Sequence, residues 1–301
     1  MSDENNNNEV DTTSCCAACG IAEVDDIKLK DCDGCDLVRY CSDECRELHR
    51  PEHEEACKQR ADELREELLF KQPESSHYGD CPICCVPLPL DPQKSRMADC
   101  CSKVICDGCA LANAKREVEM RLQPSCPFCR QQFPRTEEEC IKRNMKRIEA
   151  NDPVALCHEG HLQREKGEYQ MAFEYWTKAA ELGDAEAHYH LSVAYRLGHG
   201  VEKDEGKEIY HLEEAAIDGH PNARYNLGFI EWNSRNNVER AVKHWIIAAT
   251  QGDNDSIKWL MKAFKDGLME KEDLAAALRA RKAAVDATKS PQRDIAEKYC
   301  R

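Results

Sequence analysis

The sequence predicts a multidomain chain: two small cysteine-rich α+β fingers followed by an all-α helix-hairpin solenoid. Three observations predict it. Cysteine pairs at C-x-x-C spacing crowd into the first 130 residues. An Ala-Ala-x-x-Gly motif then recurs, with its glycines 36 and 33 residues apart at Gly183, Gly219 and Gly252. Aromatic residues make up only 6% of the 301 residues, so the cysteine-rich half lacks the apolar mass to fold by burial alone. Two sulfurs on a tight turn converge on one point, and two such pairs complete a tetrahedral zinc site. Up to four zinc ions are therefore expected.

Residues 1–13 are polar and Asn-rich and read as a disordered tail. The first finger, residues 14–57, contains Cys16-Ala-Ala-Cys19, Cys32-Asp-Gly-Cys35, Tyr40-Cys41-Ser-Asp-Glu-Cys45 and His53-Glu-Glu-Ala-Cys57. His53 and Cys57 are four apart and share one helical face. The set resembles the MYND finger family. The resemblance implies interleaved sites, with Cys16, Cys19, Cys41 and Cys45 on one zinc and Cys32, Cys35, His53 and Cys57 on the other. It also implies a protein-interaction module. Arg50 stands where many members carry an exposed tryptophan beside the peptide site. Cys15 and His49 are spare.

Residues 58–76 are expected as a charged linker helix with a thin stripe of Leu64, Leu68 and Leu69, ended by Pro73. The second finger spans 77–134. It reads Cys81-Pro-Ile-Cys84, Cys100-Cys101, Cys106-Asp-Gly-Cys109 and Cys126-Pro-Phe-Cys129-Arg130. This pattern resembles the RING finger family. The resemblance implies that Cys81, Cys84, Cys106 and Cys109 hold one zinc, and that Cys101, Cys126 and Cys129 supply three ligands of the second. Lys103 stands where the family places a histidine, and a protonated lysine has no lone pair to give. Cys100 is the replacement, as in all-cysteine variants; the alternative is a partly empty second site. The family's conjugating-enzyme contacts carry over to Ile83, Pro127, Phe128 and Arg130. The intervening helix reads Ala-Asn-Ala-Lys-Arg-Glu and lacks the tryptophan many active members carry.

Residues 135–151 form a linker helix with Ile141, Met145 and Ile148 on one face. Cys140 is off the C-x-x-C pattern and reads as a packed thiol. Residues 152–289 repeat. Each glycine ends a helix, and Leu191, Leu227 and Leu260 follow at matching places. With the Gly198-His-Gly200-Val-Glu-Lys-Asp loop, this resembles the Sel-1-like repeats, relatives of the tetratricopeptide repeats. Three repeats are recognisable and a degenerate fourth runs from Asn254 to about Thr288. Glu159 replaces the repeat leucine in the first, as suits an end cap. Cys157, His158 and His161 lie on the first repeat helix and are better explained by packing than by metal. Residues 290–301 form a C-terminal tail, frayed or a short final helix.

The formal net charge of −15 argues against nucleic-acid binding, which needs a basic footprint. No stretch is apolar enough to cross a membrane, and the Met-Ser-Asp-Glu-Asn start is no secretory signal. An intracellular location, cytoplasmic or nuclear, is expected, where thiols stay reduced and clustered cysteines bind metal. The expected function is that of a zinc-binding protein-interaction protein. The RING resemblance implies a ubiquitin ligase or ligase adaptor. Its partners would be a ubiquitin-conjugating enzyme and unknown targets chosen by the first finger and the repeats. The alternative is a non-enzymatic scaffold in which all three modules bind proteins.

Overall fold

A computed structural model describes residues 15–299; the tail expected over 1–13 lies outside them. The chain divides into two compact units after Lys71. The described cysteines are free of disulfides, and no helix among the described residues is long and apolar enough to cross a membrane.

The first unit has an antiparallel pair, β1 (Lys30–Asp31) and β2 (Arg39–Tyr40), and one long helix, α1 (Asp43–Phe70). Arg39 binds Glu23 at 2.7 Å, Asp31 at 3.0 Å and the Leu29 carbonyl at 3.2 Å, which fixes the loop before β2. Ser42 caps α1 by accepting from the Cys45 amide at 3.3 Å, and Asp43 and Glu44 follow in the first turn. The linker helix expected over 58–76 is not a separate element. It is the continuation of the helix that carries Cys45, His53 and Cys57, and it stops at Phe70. The join is held by Arg60, whose guanidinium forks onto Asp36 at 2.7 and 2.8 Å.

The second unit begins with residues 72–77 running over the repeat turns. His77 donates its amide to the Gly219 carbonyl at 3.1 Å, and Gln251 Nε2 donates to Gly219 O at 2.9 Å and Ser75 O at 3.3 Å. The finger follows, with a short 3-10 turn, a hairpin of β3 (Ser95–Ala98) and β4 (Lys103–Cys106) in register Ser95↔Cys106, and helix α2 (Asp107–Glu119). Helix α3 (Glu137–Glu149), capped by Thr136, packs on the first repeat helix.

The solenoid is built from α4 (Pro153–Glu165), α5 (Tyr169–Glu181), α6 (Ala185–Leu197), α7 (Glu205–Ile217), α8 (Pro221–Asn233), α9 (Val238–Thr250), α10 (Asn254–Lys265) and α11 (Lys271–Ala287). They pair as successive hairpins. Gly183, Gly219 and Gly252 all take positive φ, ending one helix, and the next residue caps the next: Asp184, His220 or Asp253. Leu191, Leu227 and Leu260 are buried between layers. At the first repeat, Glu159 accepts from Asn144 of α3 at 2.9 Å and from Gln163 at 2.7 Å. The end cap is therefore a covered polar contact as well as a wet face.

The core is made by size matching. A Cβ on Gly160 would lie 2.4 Å from the Trp176 indole nitrogen, and one on Gly228 would lie 2.5 Å from that of Trp245. Both indoles are buried, so neither can retreat. The same ordinal positions of α6 and α7 hold Ser192 and Leu212, also buried: a bulkier small partner with a slimmer large one.

The C-terminal residues are not a loose tail among those described. Pro291–Tyr299 form helix α12, which packs on α2 of the second finger.

Candidate metal centres and the surface of the second finger

Three ligand pairs sit on the same backbone turn. In each, the first cysteine's amide donates to a carbonyl five residues on: Cys16 to Ile21 at 2.8 Å, Cys81 to Val86 at 3.0 Å and Cys126 to Gln131 at 2.8 Å. Its carbonyl accepts from the residue four on, which is Gly20, Cys85 or Arg130, and each of these has positive φ. The turn aims both sulfurs of the pair inward. Cys85 and Arg130 take this conformation without being glycine, so the second finger carries backbone strain at both knuckles.

The sixteen residues expected as ligands fall into four groups, with ligand atoms within 4.8 Å of one another in each. They are Cys16, Cys19, Cys41 and Cys45; Cys32, Cys35, His53 and Cys57; Cys81, Cys84, Cys106 and Cys109; and Cys100, Cys101, Cys126 and Cys129. In both fingers the first and third pairs, and the second and fourth, come together, so the groups interleave. Tetrahedral zinc with Zn–S near 2.3 Å requires sulfurs about 3.8 Å apart. Cys19–Cys41 and Cys41–Cys45 are 3.6 Å apart, Cys32–Cys57 3.7 Å, Cys84–Cys106 3.8 Å and Cys101–Cys126 3.9 Å. Cys100–Cys129 is tighter at 3.3 Å, and Cys35 Sγ meets His53 Nε2 at 3.2 Å. Cys100 thus stands among the other three sulfurs, while Lys103 is exposed at the start of β4.

The electrostatics fit a cation. Burial opposes ionisation of Cys16, but hydrogen bonds from the backbone of Cys41, Cys19 and Ala18 bring its thiol down to about 6. Its neighbour Cys41 is pushed up to about 12 by its hydrogen bonds with Cys19 and Cys45. Burial and then Cys32 push Cys57 up to about 12. Burial and the adjoining sulfurs likewise raise Cys100 and Cys109. In the first group Cys16 is held down while Cys41 and Cys45 are held up, so these sulfurs resist ionising together. Only a positive ion at the centre lets all the thiols ionise together.

A further group, His77, Glu186 and His220, does not fit a metal. His220 Nδ1 accepts the Ala223 amide at 3.3 Å, as the cap of α8. The ring's proton then sits on Nε2, the atom that would have to ligate. Burial pulls His220 down to about 4, so the ring is neutral. His77 Nε2 and His190 Nε2 donate to the two Glu186 oxygens at 3.0 and 3.1 Å. The group is a hydrogen-bonded hub that joins the lead-in to the finger with the repeats. His161 packs edge-on against Trp176 and His190, Cys157 is buried, and Cys140 points at Asp99 at 3.5 Å.

On the second finger, Ile83 is 41% exposed and Phe128 43%, with Pro127 half-buried and Arg130 exposed. The polar helix face has a task that the sequence did not suggest. Asn113 donates to the Ser125 carbonyl at 3.2 Å and accepts from Arg130 at 3.2 Å. Glu117 accepts from the Ser125 amide at 3.0 Å and its hydroxyl at 2.7 Å. Together they fasten α2 to the loop of the fourth ligand pair. The only sequence signal was their i, i+4 spacing.

The MYND finger family matches residues 16–57. The Sel1 repeat family matches residues 155–184, 185–220 and 221–253. The chain carries a MYND finger and three Sel1 repeats. It is thus a zinc-finger protein built from protein-interaction modules. Neither match covers residues 58–154, where the second finger lies. Among solved structures, the chain is similar to a Sel1 repeat protein from Oxalobacter formigenes, at 31% identity over 50% of this chain and 65% of that one, with a TM-score of 0.43. It is also similar to a protective antigen of uropathogenic Escherichia coli strains displaying an SLR fold, at 24% identity over 55% and 37% of the two chains, with a TM-score of 0.39. The chain therefore spans less than two thirds of either structure. No curated protein matches it.

Proposed function

We propose that residues 77–134 form a RING-type finger that docks a ubiquitin-conjugating enzyme, while the MYND finger and the Sel1 repeats recruit the protein to be modified. One observation carries this reading: two interleaved four-cysteine groups stand beside Ile83 and Phe128, each lying between two of those cysteines in sequence and each left exposed. In this reading the finger supplies no nucleophile. Its chemistry is orientation, in which the conjugating enzyme's ubiquitin thioester is held in the reactive pose and the attacking amine does the rest. Ile83 and the Pro127–Phe128 loop would seat the enzyme, and Arg130 would clamp ubiquitin against it. Zinc supplies only the fixed frame for these residues. The proposed setting is intracellular, cytoplasmic or nuclear, with protein partners and no nucleic acid.

The non-enzymatic scaffold is favoured by a different observation. Asn113 and Glu117 make the helix face polar, and Asn113 engages Arg130. Discharge of ubiquitin from a panel of charged conjugating enzymes decides between the two. The ligase reading predicts acceleration by the wild type and a loss of roughly ten-fold or more in both Ile83→Ala and Arg130→Ala, with zinc content unchanged. No acceleration across the panel by a fully zinc-loaded protein leaves the scaffold.

A further inference from the structure

The turn of the first ligand pair in the second finger, Cys81 to Pro87, is held by a side chain from the other end of the chain. Arg293, on α12 and 209 residues from Cys84, lays its guanidinium across the turn. Nη2 donates to the Val86 carbonyl at 2.9 Å and approaches Cys84 Sγ at 3.6 Å. Nη1 donates to the Pro87 carbonyl at 2.6 Å and to Thr288 O at 2.7 Å. The helix is seated around this fork. Ala296 is buried, Lys94 pairs with Glu297 at 3.3 Å, and Lys115 of α2 lies 4.7 Å over the Tyr299 ring. Gly108 makes the fit possible, since a Cβ there would lie 2.9 Å from the Arg293 amide nitrogen.

We propose that α12 is an integral part of the second finger, and that Arg293 is a positioning residue for the Cys81–Pro87 turn and hence for Ile83. Two physical needs point this way. The Val86 carbonyl, which already accepts from the Cys81 amide at 3.0 Å, has a second lone pair, and a planar fork of donors reaches it and the Pro87 carbonyl at once. Four thiolates around one zinc carry a net double negative charge, and a guanidinium beside Cys84 offsets part of it. The turn also holds the strained Cys85 (φ 52°). An outside clamp keeps such a conformation populated. The part of this inference that concerns Ile83 rests on the ligase reading; the part that concerns the turn does not.

The test uses the full-length, zinc-loaded protein as wild type, Arg293→Ala and Arg293→Lys. Amide hydrogen exchange is followed in residues 81–88, with α4 to α9 as the internal control of folding, alongside zinc release to a colorimetric chelator. Arg293→Ala is expected to speed exchange in the turn by roughly ten-fold or more, which corresponds to about 1.4 kcal/mol of lost protection. One zinc should leave faster while the repeats stay protected. Arg293→Lys should fall between, because an ammonium supplies charge but not the planar fork. If Arg293→Ala also loosens α4 to α9, the comparison rests on Arg293→Lys. Unchanged exchange in the turn, in whichever variant stays folded, overturns the proposal. Where the wild type discharges a conjugating enzyme, Arg293→Ala should slow it. Where it discharges none, the ligase reading fails while exchange and zinc release still decide the role of Arg293.

Discussion

A strong zinc chelator is expected to unfold both fingers and leave the Sel1 repeats folded. The cores of the fingers explain the size of the effect. In the second finger the buried apolar cluster is Cys81, Leu88, Ala98, Ile105, Cys106, Cys109 and Cys126, so four of its seven members are expected zinc ligands. In the first it is Cys16, Leu29 and Tyr40. Without the ion these clusters are buried thiols that repel one another as they ionise. A structural zinc contributes on the order of 10–16 kcal/mol, against a total stability of about 5–15 kcal/mol for an ordinary domain. The repeats supply none of the sixteen ligands and keep their own core around Trp176, Leu191 and Trp245. Limited proteolysis after chelation should leave a protected fragment running from about α3 to α11. The sequence alone places the end of the sensitive region near residue 130. The docking of α12 on α2 extends it, because the last helix loses its seat when the finger melts. A single cooperative loss of all helical signal, with no protected fragment, would contradict this division.

Within the repeats, the largest single effect is expected at the Gly228–Trp245 contact. Trp245 is fully buried, stacks on Trp259 at 5.1 Å and donates its indole N–H to the Tyr225 carbonyl at 3.3 Å. Trp245→Ala should cost about 3–5 kcal/mol. The reciprocal change is the sharper test. Gly→Ala in a helix normally gains about 1 kcal/mol. Here the new methyl meets an indole at 2.5 Å that has no room to move. Overpacking of about 1–3 kcal/mol should therefore win, and Gly228→Ala should lower the urea midpoint. Combining Gly228→Ser with Trp245→Leu puts in place the residues that occupy the same ordinal positions of α6 and α7, Ser192 and Leu212, and should be less costly than the two single changes added together. Strict additivity would mean that the two positions do not share a contact.

What could be read from the sequence was whatever has a short-range signature. Cysteine spacing marks the knuckles, because the turn that aims two sulfurs is local. The repeat glycines mark helix ends, because the left-handed turn is local too. The residue after each glycine caps the next helix, which is why Asp184 and Asp253 recur and His220 can replace them. The merger of the linker with the MYND helix was hidden by its charge. A helix stabilised by expected ligands from Cys45 to Cys57 and by Arg60 on Asp36 just beyond them needs no apolar stripe. The Arg293 clamp was hidden for another reason. Its acceptors are main-chain carbonyls, which every residue has, and they lie some two hundred residues away. Asn113 and Glu117 looked like solvent-facing residues because their partners, too, are largely backbone.

The second finger is proposed to be a cross-braced, two-zinc frame in which Cys100 stands in for the missing histidine. Native mass spectrometry of the intact protein tests it most directly. Four zinc ions on the wild type and three on Cys100→Ser are the results expected. Three ions on the wild type, unchanged in Cys100→Ser, would mean that the Cys100, Cys101, Cys126 and Cys129 group holds no metal, and the frame proposed to support Phe128 and Arg130 would fall with it.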